Sequence, residues 1–237
     1  MRLNALELTN RARTHVVDLD DPLCTLHRDA VSPFLAMRQA AREQGIDLLP
    51  VSSFREFDRQ LAIWNAKHRG QRPLLDRAGC ALDHSCLSPQ SLVETILLWS
   101  ALPGASRHHW GSEIDVIDRA ALPPDVLPQL VPAEYQPGAV FGRLSEWLAA
   151  NAARHGFYRP YTTDRGGVMP EPWHLSYAPV ATLALEDLSL ELLREALADA
   201  AIEGREHVLA ELPRIYSRYV AAIDRPPADI SLRPRLS

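Results

Sequence analysis

The stretch SRHHWGSEIDVID, residues 106–118, constrains the fold more than any other part of this chain. Two histidines precede a glycine, after which acidic and apolar residues alternate. Because successive side chains of a strand point to opposite faces, the stretch predicts a strand with Ile114 and Val116 on one face and its acids on the other. Gly111 allows a sharp turn. A histidine before that turn and Asp115 after it are therefore predicted to converge.

A second polar segment, EPWHLSY, occupies residues 171–177. Pro172 disfavours helical geometry at Glu171, so the segment is expected to be extended. Alternation then places His174 on the face opposite Trp173. The segment offers a third possible metal ligand, His174, with a carboxylate close by.

Two histidines and one aspartate form the three-ligand set typical of catalytic zinc, which keeps a fourth position for water and lowers the pKa of that water. A carboxylate that does not bind the metal, Glu171, can act as general base. Arg55 follows a predicted strand end and is the candidate partner for a developing oxyanion. Spacing alone does not choose between His108 and His109.

Each of these residues also has an ordinary structural interpretation. Asp115 could cap a turn, Trp173 could be a core residue, and Arg55 could form an ion pair at a helix start. A separate structural zinc site is conceivable at Cys80, His84 and Cys86. That set offers only three ligands in an uncommon spacing, so it is the weaker hypothesis.

Charge and hydropathy exclude several functional classes. The formal net charge is −5 and the sequence pI about 6.0, which provides no basic surface for nucleic acid. No run of about 18 apolar residues predicts a membrane span. Three cysteines are an odd number and argue against a disulfide framework. The first residues lack the apolar region of a secretory signal, so we expect a cytoplasmic protein, or a periplasmic one if a leader precedes this sequence.

Local patterns predict an α+β fold, because strands mix with helices and few βαβ units alternate. Helices are predicted from Ser32, as N-cap before Pro33, to Gly45; over residues 56–68; from Ser88; over residues 140–156; and over residues 185–223. Residues 12–19 and 48–54 are predicted strands, and residues 119–139 an irregular loop.

The two polar segments together resemble a known family. S-x-H-x-x-G-x-x-x-D followed by E-x-W-H-x-x-Y is similar to the VanY-type D-alanyl-D-alanine carboxypeptidases, which belong with lysostaphin-type enzymes and hedgehog domains to a wider zinc-peptidase group. SSFREFDRQ resembles the family segment S-G-Y-R-S-x-x-x-Q. The residues that carry the likeness are Arg55, Gln60, Ser106, His108, Gly111, Asp115, Glu171, Trp173, His174 and Tyr177.

The resemblance implies one zinc ion per chain, bound by His108, Asp115 and His174, and thereby prefers His108 to His109. It implies general base and acid duty for Glu171 and places Arg55 at the scissile carbonyl or the substrate's terminal carboxylate. The implied substrate-binding residues are Arg55, Gln60, Ser106 and Trp173. The implied fold is a small antiparallel sheet flanked by helices.

The likeness covers roughly residues 30–180. We therefore predict a zinc peptidase domain over residues 1–182 and a C-terminal helical extension, 183–237, packed on the same domain. Two positions depart from the family pattern. Glu113 stands where the family often has a small residue, and could affect substrate choice or pair with a basic residue; Ser53 replaces a glycine.

The family implies removal of D-alanine from peptidoglycan stem peptides, with muropeptides as partners. A cytosolic D,D-carboxypeptidase would destroy the cell's own pentapeptide precursors, whereas an L,D-carboxypeptidase would process recycled tetrapeptides. We therefore expect an L,D-carboxypeptidase of cell-wall recycling. The alternatives are a D,D-carboxypeptidase, a D-Ala-D-Ala dipeptidase, or a zinc-containing binding module without catalysis.

Overall fold

Helices and short strands alternate irregularly along the chain. The computed structural model describes residues 2–228 and 230. The α-helices in these residues are α1 (Ala5–Leu8), α2 (Arg28–Arg42), α3 (Phe57–His68), α4 (Pro89–Trp99), α5 (Gly142–Asn151), α6 (Ala178–Asp187), α7 (Leu190–Ala198), α8 (Arg205–Ala210) and α9 (Leu212–Ile215), and a 3-10 helix spans Arg107–Trp110. The strands are β1 (Val16–Asp20), β2 (Leu23–His27), β3 (Leu48–Ser52), β4 (Leu74–Leu75), β5 (Ala81–Leu82), β6 (Glu113–Asp118), β7 (Phe157–Tyr158) and β8 (His174–Tyr177).

A four-stranded antiparallel sheet in the order β3-β6-β8-β7 positions the polar residues. The two predicted polar strands are adjacent in it. Their register sets Asp115 opposite His174 and Glu113 opposite Ser176. Directly opposed residues of an antiparallel pair have Cβ atoms about 4.5–5.5 Å apart. The α+β class and the small antiparallel sheet are thus confirmed.

The opposite face of the sheet is apolar and packs on α2 and α5. Ile114, Val116 and Leu175 are fully buried there against helix residues such as Phe34 and Leu144. This is the expected consequence of the alternation in β6. One face of the strand supplies core contacts, and the other is left for the polar residues of a site.

A second apolar cluster joins the middle of the chain to its C-terminal helices. Trp64 of α3 and Ile96 of α4 pack in it with Leu193 of α7 and Leu212 of α9. Helices of the 183–237 segment therefore contact the rest of the chain through buried side chains. The domain boundary itself stays a prediction, and residues 229 and 231–237 of that segment lie outside the described residues. Among the described helices, none is both long and apolar enough to cross a bilayer.

The start of α2 was predicted wrongly. The helix begins at Arg28, four residues before Ser32, and Pro33 lies inside it. His27 is the N-cap, and its Nδ1 accepts a hydrogen bond from the Asp29 N–H at 3.1 Å. A histidine is an unusual N-cap, so local pattern favoured the Ser-Pro pair.

Of the other helix predictions, one start is correct and one is wrong. The same Ser-Pro signal is correct at Ser88, whose Oγ accepts the Ser91 N–H. The last helical region starts at Ala178 rather than Leu185 and is interrupted after Asp187 and over residues 199–204. The helix α6 begins directly after the last residue of β8, so the sequence contains no loop that would mark where the helix starts.

Candidate metal centre and active site

Three polar side chains from different elements converge at the wall of a cavity of about 950 Å³. Nε2 of His108 lies 3.4 Å from Oδ2 of Asp115, and Nδ1 of His174 lies 3.0 Å from Oδ1 of Asp115. The three candidate ligand atoms lie within 4.8 Å of one another. Two tetrahedral ligand atoms, each about 2.0–2.1 Å from zinc, are separated by about 3.3 Å. The spacing therefore suits a zinc ion.

The choice between the two adjacent histidines follows from their hydrogen bonds. His108 Nδ1 donates to the Ser53 carbonyl at 2.8 Å, which leaves Nε2 directed at the site. His109 uses both ring nitrogens: Nδ1 contacts the Arg55 carbonyl at 2.6 Å, and Nε2 accepts the Gly104 N–H at 3.1 Å. His109 is fully buried and has no nitrogen left for a metal. This chemistry agrees with the preference for His108.

The charges around His174 also suit a cation. Burial alone would lower its pKa, but hydrogen bonds and charge interactions with Asp115 and Glu113 raise it to about 10. Burial opposes ionisation of Asp115, yet His108 and His174 hold its pKa far below the usual range. Several buried carboxylates thus surround one imidazole, an arrangement that a bound divalent ion would stabilise.

Glu171 lies beside this group without belonging to it. Its Oε2 is 3.5 Å from His174 Nδ1. Burial, joined by the nearby charge of Asp115, raises its pKa to about 7, against the opposing effect of His174 and Arg55. A carboxyl group with a pKa near neutrality can both accept and return a proton at physiological pH.

Arg55 reaches the same cavity from the loop after β3. Its Nη1 donates to Gln60 Oε1 at 2.8 Å and its Nη2 donates to Ser52 Oγ at 3.0 Å. Burial lowers its pKa, while Asp115 acts against that change. Its backbone N–H donates to the His108 carbonyl at 3.1 Å, so guanidinium and candidate metal ligand are held together.

The remaining predicted site residues differ in their placement. Ser106 and Trp173 line the cavity. The buried Ser106 Oγ makes no hydrogen bond within the described part of the chain. Gln60 does not line the cavity: it is fully buried, and its Nε2 donates to the Ala101 carbonyl at 2.6 Å. The position of Gln60 fits support of Arg55, and its predicted contact with substrate is not supported by this placement.

Comparison with known proteins agrees with this geometry. The sequence model of the VanY family, described as D-alanyl-D-alanine carboxypeptidase, matches residues 24–180. This chain belongs to the VanY family. The match covers well over half of the chain and both polar segments. Membership of this family indicates a carboxypeptidase.

Individual relatives show how far the likeness extends. An uncharacterised protein of Haemophilus influenzae is 40% identical over 121 residues, which are 50% of this chain and 92% of that protein. A solved structure of VanYB in complex with D-alanine-D-alanine has a TM-score of 0.50 at 22% identity, covering 80% of this chain and 91% of that one. A solved structure of the LdcB LD-carboxypeptidase also has a TM-score of 0.50, at 20% identity and 82% coverage of each chain. At these identities the two structures show a common fold.

Cations that the sequence analysis missed also line the cavity of this VanY-family chain. They are Lys67, Arg72, Arg77 and Arg107. Burial lowers the pKa of Lys67 to about 8, although Glu171 acts in the opposite direction. A signal for Lys67 was present, because it follows Gln60 by seven residues and so shares its face of α3.

The alternative cysteine-containing zinc site has no support from the geometry. His84 Nε2 is engaged with the His68 carbonyl at 2.6 Å, and Cys80 and Cys86 are exposed. Within residues 2–228 and 230, the group brought together at metal-binding distances is His108, Asp115 and His174.

Proposed function

We propose that this chain binds one zinc ion through His108 Nε2, Asp115 and His174 Nδ1, and that it removes the terminal D-alanine from peptidoglycan stem peptides. The observation that carries the proposal is the convergence of these three atoms beside Glu171 and Arg55. When bound at such a site, zinc supplies Lewis acidity toward a carbonyl and lowers the pKa of water.

The protein's own groups divide the remaining work. Glu171 removes a proton from the attacking water and returns it to the leaving amine of D-alanine, which its pKa of about 7 allows in both directions. Arg55 offers N–H donors to the carbonyl oxygen or to the substrate's terminal carboxylate. Gln60 and Ser52 hold the guanidinium in place through their hydrogen bonds.

L,D-specificity is the preferred form of this activity. The residue before the terminal D-alanine is a long diamino acid in a tetrapeptide and a second alanine in a pentapeptide. The pentapeptide carries the same diamino acid one residue further from its end, so the cavity of about 950 Å³ accommodates either substrate, and Lys67 and Arg72 in its lining suit the carboxylates of both. The preference for L,D-cleavage rests on the harm that D,D-cleavage would do to the cell's own precursors. We further propose a cytoplasmic role in wall recycling, where this specificity spares pentapeptide precursors.

A muropeptide assay tests the specificity. The purified, zinc-loaded protein is incubated separately with tetrapeptide and pentapeptide muropeptides, and the products are separated by chromatography. Release of D-alanine from the tetrapeptide is the expected result. Release from the pentapeptide alone would overturn L,D-specificity and favour the D,D alternative, whereas release of the dipeptide would indicate a dipeptidase.

Two substitutions test the division of roles. Glu171→Gln is expected to retain zinc and to lose about 10²–10⁴-fold in turnover, because the general base is removed and the ligand set is intact. His174→Ala is expected to lose zinc itself. The measurements are metal content per chain and initial rate. Turnover near the parent value in Glu171→Gln would exclude that residue from proton transfer.

A further inference from the structure

The Glu113 carboxylate has four hydrogen-bond partners next to the candidate metal centre, yet the proposed reaction does not use it. It is fully buried at the start of β6. Its Oε2 lies 2.8 Å from His174 Nε2. Its Oε1 accepts from Ser112 Oγ at 2.9 Å, Ser176 Oγ at 2.8 Å and Arg107 Nη2 at 3.3 Å.

These contacts rule out a substrate-contacting role for Glu113. The residue does not line the cavity, and its carboxylate oxygens are occupied by donors on the side of His174 that faces away from Asp115. The sequence raised the possibility that Glu113 contacts substrate, and the structure does not favour it. Its pairing with a basic residue, Arg107, is present.

The ring of His174 is held between two carboxylates. Nδ1 lies 3.0 Å from Asp115, and Nε2 lies 2.8 Å from Glu113. An ionised carboxylate can only accept hydrogen bonds, so Nε2 must carry the proton at that contact. Nδ1 faces the Asp115 carboxylate, which also only accepts, so both ring nitrogens carry a proton when no cation is bound. A cation bound beside Asp115 would replace the Nδ1 proton, whereas the Nε2 proton would stay in the hydrogen bond to Glu113.

We propose that Glu113 is a positioning residue for the metal centre: it fixes the tautomer and the ring orientation of His174 so that Nδ1 is presented to zinc. The inference rests on the proposed function, because it assigns Glu113 a role toward the ion held there. A ligating histidine that donates its outer N–H to a carboxylate becomes a better-oriented and more basic ligand, and loss of such a partner typically costs 10–100-fold in metal affinity.

Arg107 compensates the negative charge of the buried Glu113 carboxylate. Its guanidinium lies over the Trp110 ring at 4.9 Å and donates to both Glu113 and Ser176. Removing one member of a buried pair would leave the other charge uncompensated. The same ion pair offers a competing explanation for Glu113, namely that it serves only to neutralise Arg107 in the core. An experiment must therefore measure zinc binding separately from folding.

The test compares zinc affinity, measured by competition with a chelator, and the visible spectrum of the cobalt(II)-substituted protein. Glu113→Ala is expected to bind zinc about 10–100-fold more weakly and to shift the cobalt spectrum. Glu113→Gln is expected to rescue part of the affinity, because the amide oxygen still accepts from His174 but carries no charge. Ser112→Ala is the matched control: it removes one donor to Glu113 without touching His174, and should keep the parent's affinity and spectrum.

A second variant guards against a folding defect. Arg107→Met combined with Glu113→Gln replaces the ion pair by uncharged side chains of similar size, and it should show the same loss of affinity as Glu113→Gln if the carboxylate acts on His174. Unchanged zinc affinity and an unchanged cobalt spectrum in the Glu113 variants, with a parent that binds zinc and hydrolyses peptide, would overturn this assignment alone. A parent that binds no zinc would overturn the proposed function as well.

Discussion

Gly111→Ala probes the turn that brings the first candidate ligand next to β6. Gly111 has φ +67°, in the left-handed region, and an added Cβ would lie 2.6 Å from the backbone nitrogen of His27 and 2.6 Å from Val16 Cγ1. A non-glycine residue in that region costs about 1–3 kcal/mol. Overpacking against groups that cannot move freely costs about 1–3 kcal/mol more. The expected loss in free energy of unfolding is therefore about 4 kcal/mol.

For a chain of this size, such a loss lowers the melting temperature by roughly 8–16 °C, at about 2–4 °C per kcal/mol. The assay is thermal unfolding by circular dichroism, with Gly138→Ala as control. Gly138 has φ +81° and no atom within 4 Å of an added Cβ, so the control carries the backbone cost without the contact. The His27 N–H also donates to the Gly111 carbonyl at 2.8 Å, so a displaced turn should weaken zinc binding in Gly111→Ala only. Equal destabilisation by the two substitutions would refute the close approach.

Three further outcomes are expected. Burial lowers the pKa of His27 to about 4 in the folded protein. Between about pH 6.5 and pH 4 the unfolded chain therefore binds more protons than the folded chain, and the free energy of unfolding should fall as the pH decreases through that window. Titration of metal-free protein should show a smaller fall for His27→Asn, which can still cap α2; an unchanged pH dependence would contradict the shift. When free zinc is present at about 1,000 times its dissociation constant, removing it with a chelator should lower the free energy of unfolding by about 4 kcal/mol. The melting temperature should drop and recover when zinc is added again. An unchanged melting temperature would count against a zinc site that joins separate elements. Leu193→Ala on α7 should cost about 2–5 kcal/mol while unfolding stays a single transition, and two transitions would show that the C-terminal helices fold separately.

The parts of the structure that the sequence predicted are those that depend on alternation within one segment. The polar and apolar faces of β6 follow from residues 113–118 alone, and β8 follows in the same way. The choice of His108 over His109 depends instead on carbonyl groups of Ser53 and Arg55, which are remote in sequence. No local pattern contains that information. It entered the sequence analysis only through a family resemblance.

The start of α2 was predicted wrongly for a related reason. Its start is determined by His27, whose backbone is held by Gly111 across more than eighty residues of chain, and a Ser-Pro pair further along had the stronger local signal. The role of Glu113 could not be predicted from the residues around it in the sequence either. Its face of β6 was predictable, but its partners Arg107 and Ser176 lie on a turn and on another strand.

The site depends above all on the register between β6 and β8. Glu113 opposes Ser176 and Asp115 opposes His174, so two carboxylates of one strand flank one imidazole of the next. A shift of one residue would move every polar side chain of a strand to the apolar face, where Ile114 and Val116 are buried. The apolar core on one face therefore fixes the geometry of the ligands on the other. Because His108, Asp115 and His174 come from three separate elements, an ion that they bind would in turn stabilise that register, and metal affinity and fold stability should change together.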